Sequence, residues 1–274
     1  MTGNNSSRQL PVSGGLTRPT YLSLIVTILM GILSLGGLIF PEKFYQSEVL
    51  IQNFLTNDVI NLVIGVPILL GSLWFTQRSN LTGLLIWPGA LLFVIYNYLV
   101  YIIGLPLGGL TLAYVALVLL SAYNIFDILQ RIDCQAIQDR LSGQVFEKLA
   151  GWFLLIFGIL FILRALNMII GTFFNHTGLP AVEIGTLAAD IAISILWIIG
   201  GYLLLRNRPL GYTSGLGLLF AASMLFIGLI IFLIIQPLLT TAPLNLVDIV
   251  VVVVMAIILS IPFALFLRGT IHAS

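Results

Sequence analysis

Long runs of apolar residues separated by short polar segments are the dominant pattern along this chain of 274 residues. A helix that crosses a bilayer needs about 20 mostly apolar residues. Because backbone groups in lipid must satisfy their own hydrogen bonds, each run is predicted to be a helix, even the valine-rich stretch at 250–254. Eight windows qualify, at residues 20–40, 57–77, 81–103, 109–130, 149–171, 184–205, 210–236 and 246–267.

Composition agrees with that pattern, since 59% of the residues are hydrophobic and only 8% are charged. A soluble domain carries about 25% charged residues, and a water-soluble fold of this size could not hide so much apolar surface. The predicted fold class is therefore all-α, a polytopic membrane bundle of eight transmembrane helices with the lipid bilayer as its main partner. The net charge of +1 gives no electrostatic argument for nucleic acid, and the sequence leaves the oligomeric state open.

Few residue types suited to cofactor or metal chemistry are present. The single cysteine, Cys134, excludes an intrachain disulfide and a CxxC motif, and both histidines, His176 and His272, lie outside the predicted helices. No phosphate-binding loop or nucleotide fingerprint is found. No cofactor and no metal site is therefore predicted, and no recognisable catalytic motif supports an enzyme, although lipid-phase chemistry stays open.

The placement of lysine and arginine predicts the orientation. With the N-terminus in the cytoplasm, nine basic residues are cytoplasmic, Lys43 is outside and Arg164 lies within the membrane, which fits the positive-inside rule. The expectation is a multi-pass protein of the cytoplasmic (inner) membrane with both termini inside. Residues 1–18 are predicted to be a disordered cytoplasmic tail, 132–148 a cytoplasmic linker and 269–274 a second tail.

Two four-helix halves, at 19–131 and 149–268, resemble each other. The second helix of each half has an acid near its outer end, Asp58 or Asp190, and ends in a basic hairpin at 77–80 or 206–209. Four helices per half give both halves the same orientation, which predicts a parallel 4+4 internal repeat. The alternative is that apolar helices with basic hairpins resemble each other by composition alone.

Two connections contain apolar residues at helical spacing. In the 41–56 connection, Phe44, Ile51, Phe54 and Leu55 could share one face of a helix lying on the outer surface. The linker at 132–148 is predicted to be a short amphipathic helix or an extension of its neighbours, with a solvated linker as the alternative.

Polar residues within the spans supply the candidate site. Arg164 and Asp190 are predicted at a similar depth on adjacent antiparallel helices, where they could form an ion pair. An arginine can clamp a carboxylate or phosphate, and neutral polar residues at the same height could add hydrogen bonds. The predicted ligand-binding residues are Arg164, Asp190, Asp58, Asn61, Asn97, Tyr101 and Asn167.

Three function classes remain open from these residues. The first is the binding or transport of a small polar or amphiphilic solute through an outward-side polar site. The second is a non-catalytic membrane scaffold, in which Arg164 and Asp190 only fix the helix register and the acids cap helices. The third is an intramembrane enzyme acting on a lipid-phase substrate. A cavity that reaches the outer face favours the first class, and a dry, closed core in which all polar groups bond to one another favours the second.

Several motifs resemble those of a group of prokaryotic multipass membrane proteins of unknown function. They are DVINLVIGVP at 58–67, GLLIW at 83–87, Tyr96-Asn97-Tyr98 with Tyr101, and Asp190 followed by RNRPLGY at 206–212. The resemblance covers most of the second to seventh predicted helices. Members of that group carry a proline in the sixth helix, whereas residues 195–201 here contain none. The resemblance implies a membrane protein and no particular reaction.

Overall fold

Ten helices make up the fold within residues 10–176 and 178–273, the part of the chain that the computed structural model describes. Two are short, α2 (Pro41–Phe44) and α6 (Cys134–Leu141). The other eight are long and apolar enough to cross a membrane: α1 (Thr17–Ile39), α3 (Glu48–Gln77), α4 (Leu81–Gly104), α5 (Thr111–Arg131), α7 (Glu147–Phe174), α8 (Ala181–Leu205), α9 (Pro209–Leu239) and α10 (Leu246–His272). The predicted all-α bundle of eight membrane helices is confirmed.

The two sides of the bundle differ in their connections. The hairpin side holds the tight turns at 78–80 and 206–208, α6 and the ends of the described chain. The far side holds the connections that follow α1, α4, α7 and α9. Since an even number of spans separates the chain ends, both ends lie on one side, as the sequence predicted.

Helix α3 begins earlier than expected from its apolar pattern. The Oγ of Ser47 accepts a hydrogen bond from the Leu50 backbone N–H and caps the helix at Glu48. Phe54 is buried, with its ring stacked on Tyr45 and edge-on to Tyr101. The expectation of a separate surface helix at 41–56 is therefore wrong, because residues 48–56 form the first turns of the second spanning helix.

A π-helical turn interrupts α3 at Asn61–Gly65, where the Val66 backbone N–H bonds to the Asn61 carbonyl. Pro67 follows directly, and proline has no N–H to donate to the carbonyl four residues earlier, that of Val63. Such turns add a residue to the helix and are frequent at functional sites. The π-helical turn in α3 determines the direction in which Asp58 and Asn61 face relative to the rest of the helix.

Both predicted tails are more ordered than expected where they can be described. Ser13 N–H donates to the Arg131 carbonyl at 2.7 Å, and Asp133 N–H donates to the Pro11 carbonyl at 2.9 Å. At the other end, α10 continues to His272 instead of stopping at 268. The rest of the predicted disordered tail, residues 1–9, and the last residue, Ser274, lie outside the described residues.

The linker at 132–148 contains the predicted short amphipathic helix. Asp133 caps α6 by accepting from the backbone N–H groups of Gln135 and Ala136. Ile137 and Leu141 are fully buried, and α6 packs against α9. The short helix expected in this linker is confirmed, and the alternative of a solvated linker is wrong.

The centre of the bundle is the contact between α4 and α9. A Cβ atom at Gly89 would overlap the carbonyl of Gly217, and one at Gly217 would lie 2.8 Å from the carbonyl of Leu85, so only glycine allows the two backbones to approach this closely. Helix α4 also packs against α8, and α9 packs against α3. The four-helix segments therefore share one core.

The two hairpins have matching backbone hydrogen bonds. Arg78 N–H bonds to the Trp74 carbonyl, and the equivalent Arg206 N–H bonds to the Tyr202 carbonyl. Ser79 and Asn207, next in each turn, both have positive φ, 57° and 49°. Each arginine also lies over the aromatic ring four residues before it, Arg78 over Trp74 and Arg206 over Tyr202.

Candidate functional site

Asp190 is the centre of the site. Its Oδ2 accepts a hydrogen bond from Arg164 Nη1 at 2.7 Å, and its Oδ1 accepts from the Tyr96 hydroxyl at 2.9 Å. The side chain of Asp190 is 4% exposed, whereas that of Arg164 is 56% exposed. The predicted ion pair is confirmed, and the Tyr96 hydroxyl from α4 is a further hydrogen-bond donor to the same carboxylate.

Local helix geometry explains why these groups meet. Arg164 and Asp190 each lie about three turns from the far-side end of their helices, α7 and α8. The two helices are antiparallel and pack along much of their length, with glycines at the closest approaches, Gly151, Gly158 and Gly201. The pair therefore joins two neighbouring helices at one depth in the membrane.

A cavity of about 120 Å³ lies beside the Asp190 carboxylate, and Arg164 is not among the residues that line it. A volume of that size has room for several waters or part of a small solute. Helices α3 and α4 contribute from the first half of the chain, and α7, α8 and α9 contribute from the second. Its polar lining residues are Asn57, Tyr96, Asn97 and Asp190.

The rest of the lining is apolar, and half of its residues are aromatic. Trp197, two turns after Asp190 on α8, is 2% exposed, and its indole N–H has no hydrogen-bond partner among the described residues. Leu229 lines the cavity and is also 41% exposed, so the cavity reaches the outer surface of the bundle beside α9. The cavity thus combines a polar end at Asp190 with an apolar remainder.

Asp58 belongs to a second polar cluster, the tyrosine cluster, formed by Asp58, Tyr45, Asn61 and Tyr101. Asp58 accepts from the Tyr45 hydroxyl through Oδ2 and from the Tyr101 hydroxyl through Oδ1, the latter at 2.8 Å. Asn61 Nδ2 donates to the Tyr101 hydroxyl at 3.4 Å. A Cβ at Gly37 would overlap the Asp58 carboxylate, so this glycine of α1 makes room for the cluster.

Tyr45 lies in the connection between α2 and α3. Its burial, together with the negative charge of Asp58 beside it, raises the pKa of the Tyr45 phenol well above its usual range. The hydroxyl therefore keeps its proton and stays a donor to Asp58. The cluster joins α1, α3 and α4 by hydrogen bonds and close packing.

The seven predicted residues do not form one site. Asp190 and Asn97 line the cavity, and Arg164 holds Asp190 from the more exposed side instead of lining the cavity itself. Asp58, Asn61 and Tyr101 lie in the tyrosine cluster. Asn167 is exposed on α7, one turn beyond Arg164.

Several residues that line the cavity were missed from the sequence. Trp197 could have been found, since Asp190, Ile193 and Trp197 follow the i, i+3, i+7 spacing of one helix face. Asn57 directly precedes Asp58, but its facing depends on the π-helical turn further along α3. The sequence does not single out Phe161 and Phe226, because their helices are apolar on every face.

The described residues contain no metal-binding group: within 10–176 and 178–273, no three His, Cys, Asp or Glu side chains lie close enough together to hold a metal ion. The chemistry available at the cavity is therefore that of one carboxylate, its arginine and tyrosine partners, two side-chain amides and an indole N–H.

Comparison with known proteins leaves the fold and the site as the basis for classification. No protein-family model matches the chain, and neither the curated protein sequences nor the solved structures contain a significant match. The eight spanning helices define the class, a multi-pass integral membrane protein. The resemblance to the prokaryotic multipass group stays a prediction.

Proposed function

We propose that this protein binds a small amphiphilic solute in the cavity beside Asp190 and moves it across the membrane. The support is the lining, which places one carboxylate and two amides at one end and aromatic and aliphatic side chains around the rest. Ligand sites of this kind are largely apolar, with a few polar groups that fix orientation. A route to the bundle surface at Leu229 suits a solute that partitions into lipid.

The observation that carries this proposal is that Asp190, 3% exposed, lines a cavity. A charged group in a membrane span is costly and usually faces a bundle interior or a polar cavity that the protein uses. A scaffold would need the Arg164–Asp190 pair for helix register alone. It would not need a cavity beside that carboxylate.

The two halves are proposed to derive from a duplication, with a pseudo-two-fold axis along the membrane normal through the Gly89–Gly217 contact. The hairpins share four backbone hydrogen bonds at equivalent positions and a positive φ at the same position of the turn. In such a duplication α3 corresponds to α8, and α4 corresponds to α9. The contact between α4 and α8 is then equivalent to the contact between α9 and α3, and both contacts are present. Asp58 and Asp190 are not at equivalent positions in the two halves, because Asp190 lies one helical turn closer to its hairpin than Asp58 does.

The hairpin side is proposed to face the cytoplasm of a cell whose inner membrane holds the protein. Support comes from the basic residues described on that side, which include Arg18, Arg78, Arg131 and Arg206, against Lys43 on the far side. Cytoplasmic connections of membrane proteins carry such an excess of lysine and arginine. The cavity then lies in the outer half of the membrane.

Filling the cavity tests the proposed function. Gly228 lines it, and a Cβ there would lie 3.3 Å from Ile60 and 3.7 Å from Phe93, so Gly228→Leu places a branched side chain among the lining residues. Gly31→Leu is the matched control, because a Cβ at Gly31 meets nothing within 4 Å. The purified protein in detergent would be screened by thermal shift against small organic cations, carboxylates, phosphates and alcohols.

Compounds that stabilise the wild type and the Gly31→Leu variant should fail to stabilise Gly228→Leu, because the added leucine takes their place. Hits would then be followed by uptake into proteoliposomes. If no compound stabilises the wild type, or if hits stabilise Gly228→Leu equally, the cavity is not the binding site and the scaffold interpretation is favoured.

A further inference from the structure

We propose that the solute is a small organic cation, a quaternary or protonated amine, that replaces Arg164 as the charged partner of the Asp190 carboxylate. This inference rests on the proposed function and specifies the chemical class of its ligand. Two features of the site carry it: the aromatic lining around the carboxylate, and the exposed, singly bonded position of the arginine.

Aromatic rings form a large part of the cavity wall. They come from four helices, α4, α7, α8 and α9, and are Phe93, Tyr96, Phe161, Trp197, Phe226 and Phe232. Phe161 is edge-on to both Trp197 and Phe226, which gives the wall a defined arrangement. The faces of such rings attract cations, and cages of aromatic side chains are a general means of recognising quaternary ammonium groups. A carboxylate at the edge of the wall supplies the counter-charge.

Arg164 occupies the carboxylate in a way that permits its release. A single guanidinium nitrogen, Nη1, bonds to Asp190, so the fork of the arginine is not used in the two-bond manner of a fixed structural pair. More than half of the Arg164 side chain is exposed, and a long arginine side chain can extend toward the membrane surface. Asn167, one turn outward on the same face of α7, is an alternative partner on that path.

Exchange keeps the charge at the site balanced. A buried carboxylate whose partner is removed is strongly destabilised. When an organic cation enters from the cavity side and Arg164 leaves on the exposed side, Asp190 has one cationic partner before and after. Tyr96 keeps donating to Oδ1 throughout, which holds the carboxylate in place.

The same geometry disfavours an anionic ligand. Arg164 lies outside the cavity lining, so an anion in the cavity would meet the Asp190 carboxylate first. Bringing like charges together without water between them costs several kcal/mol, which is a common device for rejecting the wrong ligand. The sequence-based expectation that Arg164 clamps a carboxylate or phosphate is therefore replaced by a role for Asp190 as the contact residue.

Three probes of one shape and different charge test the inference: choline, the neutral 3,3-dimethylbutan-1-ol and the anionic 3,3-dimethylbutanoate. Binding of radiolabelled choline to the full-length protein in detergent is measured directly, and the other two probes are measured as competitors. The expected order has choline tighter than the neutral alcohol by about tenfold or more, a difference of about 1.4 kcal/mol. The anion should not compete.

Substitutions at the ion pair give opposite results for the two partners. Asp190→Asn should weaken choline binding by about tenfold or more relative to binding of the neutral alcohol. Arg164→Gln should tighten choline binding, because the competing internal cation is gone. Arg164→Gln leaves a buried carboxylate and could impair folding. The double variant Arg164→Gln/Asp190→Asn is therefore added as a neutral pair, which should show no preference for choline over the alcohol.

The outcomes separate this inference from the proposed function. If choline and the neutral alcohol compete equally, and both are lost in Gly228→Leu, then the cavity binds solutes but the cation preference is wrong. If the anion binds and Arg164→Gln abolishes its binding, Arg164 is the contact residue and the inference is overturned. Failure of choline to bind the wild type also overturns it, while the wider compound screen with Gly228→Leu still decides the proposed function.

Discussion

At the scale of single residues, the molecule holds two buried carboxylates in different ways. Asp190 has an arginine and a tyrosine as partners and faces a cavity. Asp58 has two tyrosines as partners and lies in a closed cluster. A carboxylate whose charged partner can move away is suited to binding a ligand. A carboxylate held by neutral donors that are fixed by packing is suited to holding helices together. This difference fits the proposed binding role of Asp190 and a structural role for Asp58.

Removing one hydroxyl from the tyrosine cluster tests that structural role. Tyr101→Phe takes a donor from Asp58 and the acceptor from Asn61, so the loss should destabilise the protein by about 1–2 kcal/mol. The measurement is thermal unfolding in detergent. Tyr21→Phe is the control, because Tyr21 is 64% exposed on α1. Equal unfolding temperatures for the two variants would contradict a stabilising cluster.

Sequence alone predicted the Arg164–Asp190 pair because both residues interrupt apolar runs, and their depth follows from counting residues along two helices. It did not predict that Tyr96 is the third member or that Tyr45 reaches Asp58. Those contacts depend on the rotation of α4 and on the path of the connection between α2 and α3. Neither is encoded in the spacing of polar residues.

At the scale of elements, the helices themselves were predictable and their starts were less so. Each predicted window lies within one of the eight long helices to within a residue or two, since apolar length fixes a membrane span. The start of α3 was missed because Glu48 and Gln52 broke the apolar pattern, although Leu50 and Ile51 between them pack against the core. A helix that extends beyond the bilayer is stabilised by its contacts, which the window does not measure.

The α4–α9 crossing gives a prediction at this scale. Gly89→Ala should destabilise the protein strongly, because the new methyl group would overlap backbone atoms of Gly217, which cannot move aside as a side chain can. Overpacking of this kind costs about 1–3 kcal/mol. Gly71→Ala is the control, since a Cβ there meets nothing within 4 Å and alanine favours helix. Thermal unfolding of the two variants in detergent is the measurement, and equal stabilities would contradict the close approach.

The equivalence of the hairpins predicts matched effects in the two halves. A Cβ at Gly83 would lie 2.6 Å from the Thr76 backbone nitrogen, and one at Gly211 would lie 2.6 Å from the Leu204 backbone nitrogen. Gly83→Ala and Gly211→Ala should therefore lower the unfolding temperature by similar amounts, as a duplicated packing motif requires. A large effect at one glycine and none at the other would argue that the hairpins resemble each other by composition alone.

At the scale of the whole molecule, the distribution of charge predicts how the protein sits in its membrane. Cys134 begins α6 on the hairpin side and is partly exposed, and no other cysteine is present in the sequence. If the basic hairpin side faces the cytoplasm, a membrane-impermeant maleimide should label Cys134 in inverted membrane vesicles and not in intact cells. Lys43→Cys in a Cys134→Ser background is the matched control, because Lys43 is exposed on the far side and should be labelled in intact cells. Reversed labelling of the two cysteines would place the Asp190 cavity in the cytoplasmic half of the membrane, so that a solute would reach it from inside the cell.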